Sequence, residues 1–133
     1  MWAVDTAGLP DGERFDLVRG VLRLVRPTAA LFQTDVPWGA ETPWPAEVKA
    51  AAAVLAPSRR YASTGWLDAG DDRVWDAYVC LAPVVYASNV WTADGVELIS
   101  LADEGTSLTV CSNAEAQACL EEVVPRSRLV PLP

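Results

Sequence analysis

The sequence predicts an α+β domain, in which an antiparallel meander sheet of about five strands spans residues 58–111. Two N-terminal helices and one C-terminal helix are expected to pack on this sheet. The period of the apolar residues predicts this fold, because it changes from 3.6 before residue 57 to about 2 from residue 58. Turn signals between the alternating segments support it. We expect one domain over 1–124, followed by a Pro-rich extended tail over 125–133.

The first predicted helix spans residues 12–26. Its apolar residues form one continuous side over four turns, whereas Arg19, Arg23 and Arg26 fall together on the opposite side. Gly20 inside this helix costs about 1 kcal/mol relative to alanine. Partial alternation leaves a strand over residues 21–25 as the alternative interpretation.

A second helix is predicted over residues 44–56, with prolines near its first turn and just past its end. Between the two helices, residues 28–35 could form a short strand. A stiff loop follows over residues 36–45, because three prolines exclude a regular element there. This loop presents Trp38 and Trp44.

Five strands are predicted after residue 58, because apolar residues alternate between turn signals. Asp94-Gly95 is the strongest hairpin signal, and Glu104-Gly105 suits a short loop with a left-handed glycine. The segment 69–72 is predicted to be the turn between the first two strands, and Pro83 to separate the second from the third. The predicted strands are 59–67, 74–82, 84–92, 96–102 and 106–111.

The last predicted helix covers residues 113–124. Ser112 and Glu115 have the spacing of a capping box, which satisfies backbone N–H groups at a helix start. Cys119 falls on the predicted buried side, where it could approach Cys111.

The net charge of −8 is unevenly distributed along the chain. Residues 1–60 carry seven acidic and seven basic side chains, whereas residues 61–124 carry eleven acidic and one basic. The tail adds two arginines. The excess of acid therefore lies in the predicted sheet and last helix, where it would attract a cationic protein and speed encounter. A merely solvated acidic surface is the alternative interpretation.

Three tryptophans lie in or beside the acidic segments, and indoles are enriched at the energetic centres of protein interfaces. We therefore predict that the acidic half binds a basic protein, as an inhibitor or immunity-type partner of a toxin or nuclease. Nucleic acid is an unfavourable partner, because negative charge repels phosphate. The predicted contact residues are Trp66, Asp68, Asp71, Asp72, Trp75, Asp76, Trp91, Asp94 and Glu97.

The absence of histidine excludes Ser-His and Cys-His catalysis, histidine-ligated zinc and a histidine pH switch. The sequence has neither a phosphate-binding glycine loop nor a Cys-x-x-Cys pair, so no cofactor and no metal is expected. The acids over residues 68–76 are the one candidate for carboxylate catalysis, but clustered Asp residues are typical of turns. We therefore expect a binding protein rather than an enzyme.

Two other functions stay open. A Trp-lined cleft between the sheet and the 36–45 loop could bind a carbohydrate or small molecule, or serve a carboxylate-dependent hydrolase. Alternatively, the chain could be a structural subunit or a homodimer, in which the arginine side of one copy meets the acidic sheet of another.

Composition also indicates the source and the compartment. Nine of the ten basic residues are arginine and alanine is abundant, which is typical of GC-rich bacterial coding sequences. No segment approaches the ~20 apolar residues of a membrane span, and acidic residues interrupt the N-terminal region. We therefore expect a cytoplasmic protein without membrane association, in which Cys80, Cys111 and Cys119 are reduced.

Overall fold

The computed structural model of the chain describes residues 1–39, 43–111 and 114–133, and for residues 114–116 it describes the backbone alone. The α+β class is confirmed. In this described part of the chain, four α-helices accompany an open antiparallel sheet of eight strands. None of the helices described is long and apolar enough to cross a membrane.

The four helices alternate with the strands along the chain. The first two predicted helices are confirmed, and the last is confirmed over the part that is described. The proposed capping box at residues 112–115 lies outside the described residues. The helices are α1 Asp11–Val25, α2 Ala46–Leu55, α3 Asp72–Leu81 and α4 Ala114–Val123.

The strands form one sheet whose pairs are all antiparallel. The strands are β1 Trp2–Val4, β2 Leu31–Val36, β3 Ala62–Ser63, β4 Leu67–Asp68, β5 Ala87–Trp91, β6 Glu97–Ala102, β7 Ser107–Val110 and β8 Leu129–Pro131. Their order across the sheet is β3-β2-β5-β6-β7-β1-β8, and β4 pairs with β2 on the same side as β3. Only β5, β6 and β7 form the predicted meander.

The strand predicted over residues 74–82 is wrong, because this segment is helix α3. The 69–72 turn does not join two strands; it leads into the helix. The Asp71 carboxylate accepts hydrogen bonds from the backbone N–H groups of Arg73 and Val74, at 3.0 and 3.5 Å, and so caps the helix start. Pro83 lies in the short 3-10 turn Ala82–Val84 that follows.

Three further strand predictions need correction. The strand predicted over 59–67 is two short strands, β3 and β4, which lie beside opposite ends of β2. The tail predicted to be extended begins with the short 3-10 turn Arg126–Arg128 and then carries β8, which pairs with β1. Both β1 and β2 belong to the sheet, so the sheet is not confined to residues 58–111.

The core fills the space between the helices and one face of the sheet. An aromatic cluster of Phe32, Trp75 and Tyr78 lies at its centre, and each of these side chains is almost fully buried. The Phe32 and Tyr78 rings stack with centroids 4.5 Å apart, and Trp75 packs edge-on against both at 5.6 Å. The Tyr78 hydroxyl donates to Ser88 Oγ on β5 at 2.8 Å, which joins α3 to the sheet.

Helix α4 packs tightly against α1 at Gly20. A Cβ atom at this position would lie only 2.7 Å from Cγ1 of Val123. The helix therefore tolerates glycine here because α4 leaves no room for a side chain.

The substitution Gly20→Ala is expected to lower the free energy of unfolding by about 1 kcal/mol, because overpacking outweighs the gain in helix propensity. Chemical unfolding followed by circular dichroism measures the change. Gly12→Ala in the same helix is the matched control, since a Cβ there meets no atom within 4 Å. The double variant with Val123→Ala should recover the loss; a Gly20→Ala protein more stable than the parent would contradict this close packing.

Candidate functional site

In the part of the chain that the structure describes, the helices pack on one face of the sheet, and we call the other face the open face. Strand residues whose side chains point into the core alternate with residues on this face. Backbone pairing places Gln33, Asn89, Ser100 and Thr109 in one row across β2, β5, β6 and β7. The open face is therefore polar, with short side chains along its middle.

One end of the open face combines acidic and apolar side chains. Asp68, Leu31, Trp91 and Glu97 are direct neighbours across β4, β2, β5 and β6. Directly paired residues share a face of the sheet, so these four side chains form a second row. Trp66 precedes β4, is 53% exposed, and contacts Trp91 edge-on with ring centroids 6.2 Å apart.

Asp94 completes this region, because it lies in the turn between β5 and β6. The predicted hairpin is confirmed: Gly95 adopts φ +86°, and the Val96 N–H donates to Thr92 Oγ1 at 3.0 Å. We call the group of Leu31, Trp66, Asp68, Trp91, Asp94 and Glu97 the sheet-end surface. Five of its six members were predicted as contact residues, and Leu31 was missed although its pairing places it between two of them.

The other predicted contact residues lie on α3 or, in the case of Asp71, at its N-terminal cap. Trp75 is 1% exposed and belongs to the core, so its prediction as a surface contact is wrong. Asp71 caps the helix. Asp72 and Asp76 lie near Arg26, whose guanidinium pairs with Asp72 and reaches Asp76 at 3.8 Å. These carboxylates already have partners within the chain.

The arginine side of α1 faces α3. Arg26 pairs with Asp72, and Nη2 of Arg19 donates to the backbone carbonyl of Cys80 at 2.7 Å. Burial raises the pKa of the Cys80 thiol, against the opposing effect of the Arg19 charge. The arginine side is thus partly engaged within the chain, and Cys80 is not an activated nucleophile.

The sequence did not indicate a pocket in the middle of the open face. It is a cavity of about 370 Å³ whose walls include Gln33, Asp35, Tyr61, Asn89 and Ser100. The sequence does not single out Asp35, because one acid within an apolar strand matches no motif. We call this cavity the open-face pocket.

Among the residues that the structure describes, Asp35 is the only charged one that lines the open-face pocket. It is 6% exposed, and three donors hold its carboxylate. The backbone N–H groups of Tyr86 and Ala87 donate to Oδ1 at 3.0 and 3.2 Å, and the Tyr61 hydroxyl donates to Oδ2 at 3.0 Å. The hydrogen bond to Asp35 and its negative charge together raise the pKa of Tyr61 above its ordinary value.

Two polar atoms on the open face are buried and have no hydrogen-bond partner in the described part of the chain: Oδ1 of Asn89 and Nε1 of Trp91. The Asn89 amide donates from Nδ2 to Glu97 Oε2 at 3.4 Å, which leaves its oxygen as a free acceptor. Buried polar atoms without partners are uncommon in folded proteins, and a bound ligand is one way in which such atoms gain a partner.

The cleft proposed beside the 36–45 loop is not supported by its tryptophans. Trp38 and Trp44 contact each other with centroids 5.3 Å apart, and both pack against the core. The Trp38 indole N–H donates to the carbonyl of Ala56 at 3.1 Å. Residues 40–42 of this loop lie outside the described residues.

The three cysteines are free thiols. Cys119 is exposed, contrary to the buried position expected, while Cys111 is half-buried. Both line a mainly apolar cavity of about 420 Å³ beside α1 and α4. Across the described ranges, no group of three or more Cys, Asp or Glu residues is placed to hold a metal ion.

Comparisons with protein-family models, with curated proteins and with solved structures find no match to this chain. The proposals below therefore depend on the residues and their geometry alone.

Proposed function

We propose that this chain is a cytoplasmic binding protein for a basic protein, of the inhibitor or immunity type, and that the sheet-end surface is its contact site. The observation that carries the proposal is the row of Asp68, Leu31, Trp91 and Glu97, with the exposed Trp66 beside it. Apolar anchors surrounded by charge are the usual anatomy of a protein interface.

The charges of this surface favour a cationic partner. In the part of the chain that is described, Asp68, Asp94 and Glu97 form no ion pair, whereas Asp72 and Asp76 lie beside Arg26. Unpaired carboxylates can form new ion pairs with lysine and arginine side chains, and they steer a basic protein during encounter. The indoles would supply buried area once the partner docks.

The test starts from affinity capture with the purified chain, identification of the captured protein, and measurement of its binding kinetics. The triple variant Asp68→Asn, Asp94→Asn, Glu97→Gln should lower the association rate about ten-fold at low salt. This difference should shrink at high salt, because ions screen exposed charges. Trp66→Ala should instead raise the dissociation rate about ten-fold or more.

A matched control removes three exposed charges elsewhere. Glu13→Gln, Glu121→Gln, Glu122→Gln changes the net charge by the same amount on α1 and α4. If this control weakens binding as much as the sheet-end variant, the effect belongs to net charge and the proposed contact site is wrong. A captured protein that is acidic, or that binds the Trp66→Ala variant unchanged, would also contradict the proposal.

A further inference from the structure

We infer that the open-face pocket binds a primary ammonium group, with Asp35 as the counter-charge. This inference does not depend on the proposed partner, because a small amine can test it without any protein ligand. The same group could be carried by a lysine side chain or by a free amine.

The charge of the pocket points to a cation. In the described part of the chain, Asp35 is the only charged residue of the lining, and neither lysine nor arginine is part of it. The donors that hold its carboxylate are two backbone N–H groups and one phenol, all of them neutral. They satisfy its hydrogen bonds but leave its negative charge uncompensated, and a buried charge without a partner is costly.

The acceptors of the pocket point to a ligand that brings donors. The buried Asn89 Oδ1 has no donor in the described residues, and the Ser100 hydroxyl lies next to Asn89 through strand pairing. An ammonium group carries three N–H donors and accepts no hydrogen bond. It could therefore supply a donor to Asn89 and a positive charge near Asp35, because both residues line the same pocket.

The size of the pocket suits a ligand with a short alkyl chain. Its volume of about 370 Å³ is near the lower end of ordinary ligand pockets. Ala87 and Ala102 form part of the lining and leave space that larger side chains would fill. A neutral sugar could also donate hydrogen bonds, but it would leave the Asp35 charge uncompensated.

Titration with n-butylamine, observed by two-dimensional NMR of the amide groups, tests the inference. The backbone amides of Tyr86 and Ala87 donate to Asp35, so they report on the pocket directly. We expect saturable shifts of these amides and of the Asn89 side-chain amide. n-Butanol, which has similar size and no charge, should bind at least about ten-fold more weakly.

Asp35→Asn keeps the shape and the acceptor for both backbone donors, and should weaken butylamine binding about ten-fold. Glu13→Gln removes the same charge from an exposed position on α1 and should change affinity less than about two-fold. Equal binding of butanol or of a methyl glucoside would overturn the inference. Unchanged butylamine affinity in Asp35→Asn would also overturn it. If that variant does not fold, the comparison of butylamine with butanol on the unmodified protein still tests the inference.

A last comparison distinguishes the two sources of the ammonium group. Tighter binding of Nα-acetyl-lysine amide than of butylamine assigns the site to a protein lysine, because the backbone then contributes contacts. Equal binding assigns it to a small free amine. Either result supports an ammonium site.

Discussion

Replacing Trp75 with alanine is expected to lower the free energy of unfolding by about 3–5 kcal/mol. Trp75 is 1% exposed and packs edge-on against both Phe32 and Tyr78, so truncation leaves a large cavity at the centre of the core. The Arg26 guanidinium lies 5.9 Å from the Trp75 ring centroid and would lose this contact as well. Urea unfolding followed by circular dichroism measures the loss.

Trp66→Ala is the matched control, because it removes the same side chain from an exposed position. It should cost at most about 1 kcal/mol, from the contact with Trp91. The loss of stability in Trp75→Phe should lie between the losses in Trp66→Ala and Trp75→Ala, since a smaller ring keeps part of the packing. Equal losses from Trp66→Ala and Trp75→Ala would show that the core is not organised around the aromatic cluster.

Asp35→Ala is expected to lower the free energy of unfolding by about 3 kcal/mol, although it removes a single acidic side chain from an already acidic protein. The backbone N–H groups of Tyr86 and Ala87 would lose their acceptor in a partly buried place, and unsatisfied donors there are costly. Asp35→Asn should cost less, about 1 kcal/mol, because the amide oxygen can still accept.

Asp94→Ala is the control for net charge and should change stability by less than about 0.5 kcal/mol. An Asp35→Ala protein as stable as Asp94→Ala would contradict the role assigned to the carboxylate. Stability measured at neutral pH suffices for this comparison.

The pH dependence of stability provides an independent test of the hydrogen bond between Tyr61 and the Asp35 carboxylate. Since the pKa of Tyr61 is raised in the folded chain, the folded state keeps this proton at a pH where the unfolded chain releases it. The resulting contribution to stability is complete below pH 10.0, the ordinary pKa of tyrosine, and declines as the pH rises above it. Asp35→Asn should lower the pKa of Tyr61 toward that ordinary value, which NMR of the Tyr61 ring carbon measures.

Local patterns predicted much of the fold. Residue spacing alone predicts the apolar side of α1, the Asp94-Gly95 hairpin and the β5–β7 meander, because each depends on neighbours in the sequence. The sequence predicts a strand where α3 lies, because the valine, tryptophan and tyrosine residues of this segment favour strands. Its helical signals were Asp71 as the cap and the spacing of the buried Trp75, Tyr78 and Val79.

The two candidate sites differ in how far the sequence predicts them. The sheet-end surface could be predicted in large part, because its acids and indoles flank recognisable turns. The grouping of Trp75 with them depends on assigning residues 74–82 to a strand, whereas the helical spacing of Trp75 and Tyr78 places both in the core. The open-face pocket depends on β2 pairing with β5, whose register is set by packing between segments more than 50 residues apart.

The pairing of β1 with β8 constrains how the chain reaches its folded state. Trp2 lies opposite Pro131, so the two strands that complete one side of the sheet come from nearly opposite ends of the chain. Contacts of such large sequence separation form slowly, because their loop-closure entropy is large. During synthesis, one edge of β1 therefore stays unpaired until β8 has left the ribosome. The complete sheet can form only after the whole span from β1 to β8 has been made.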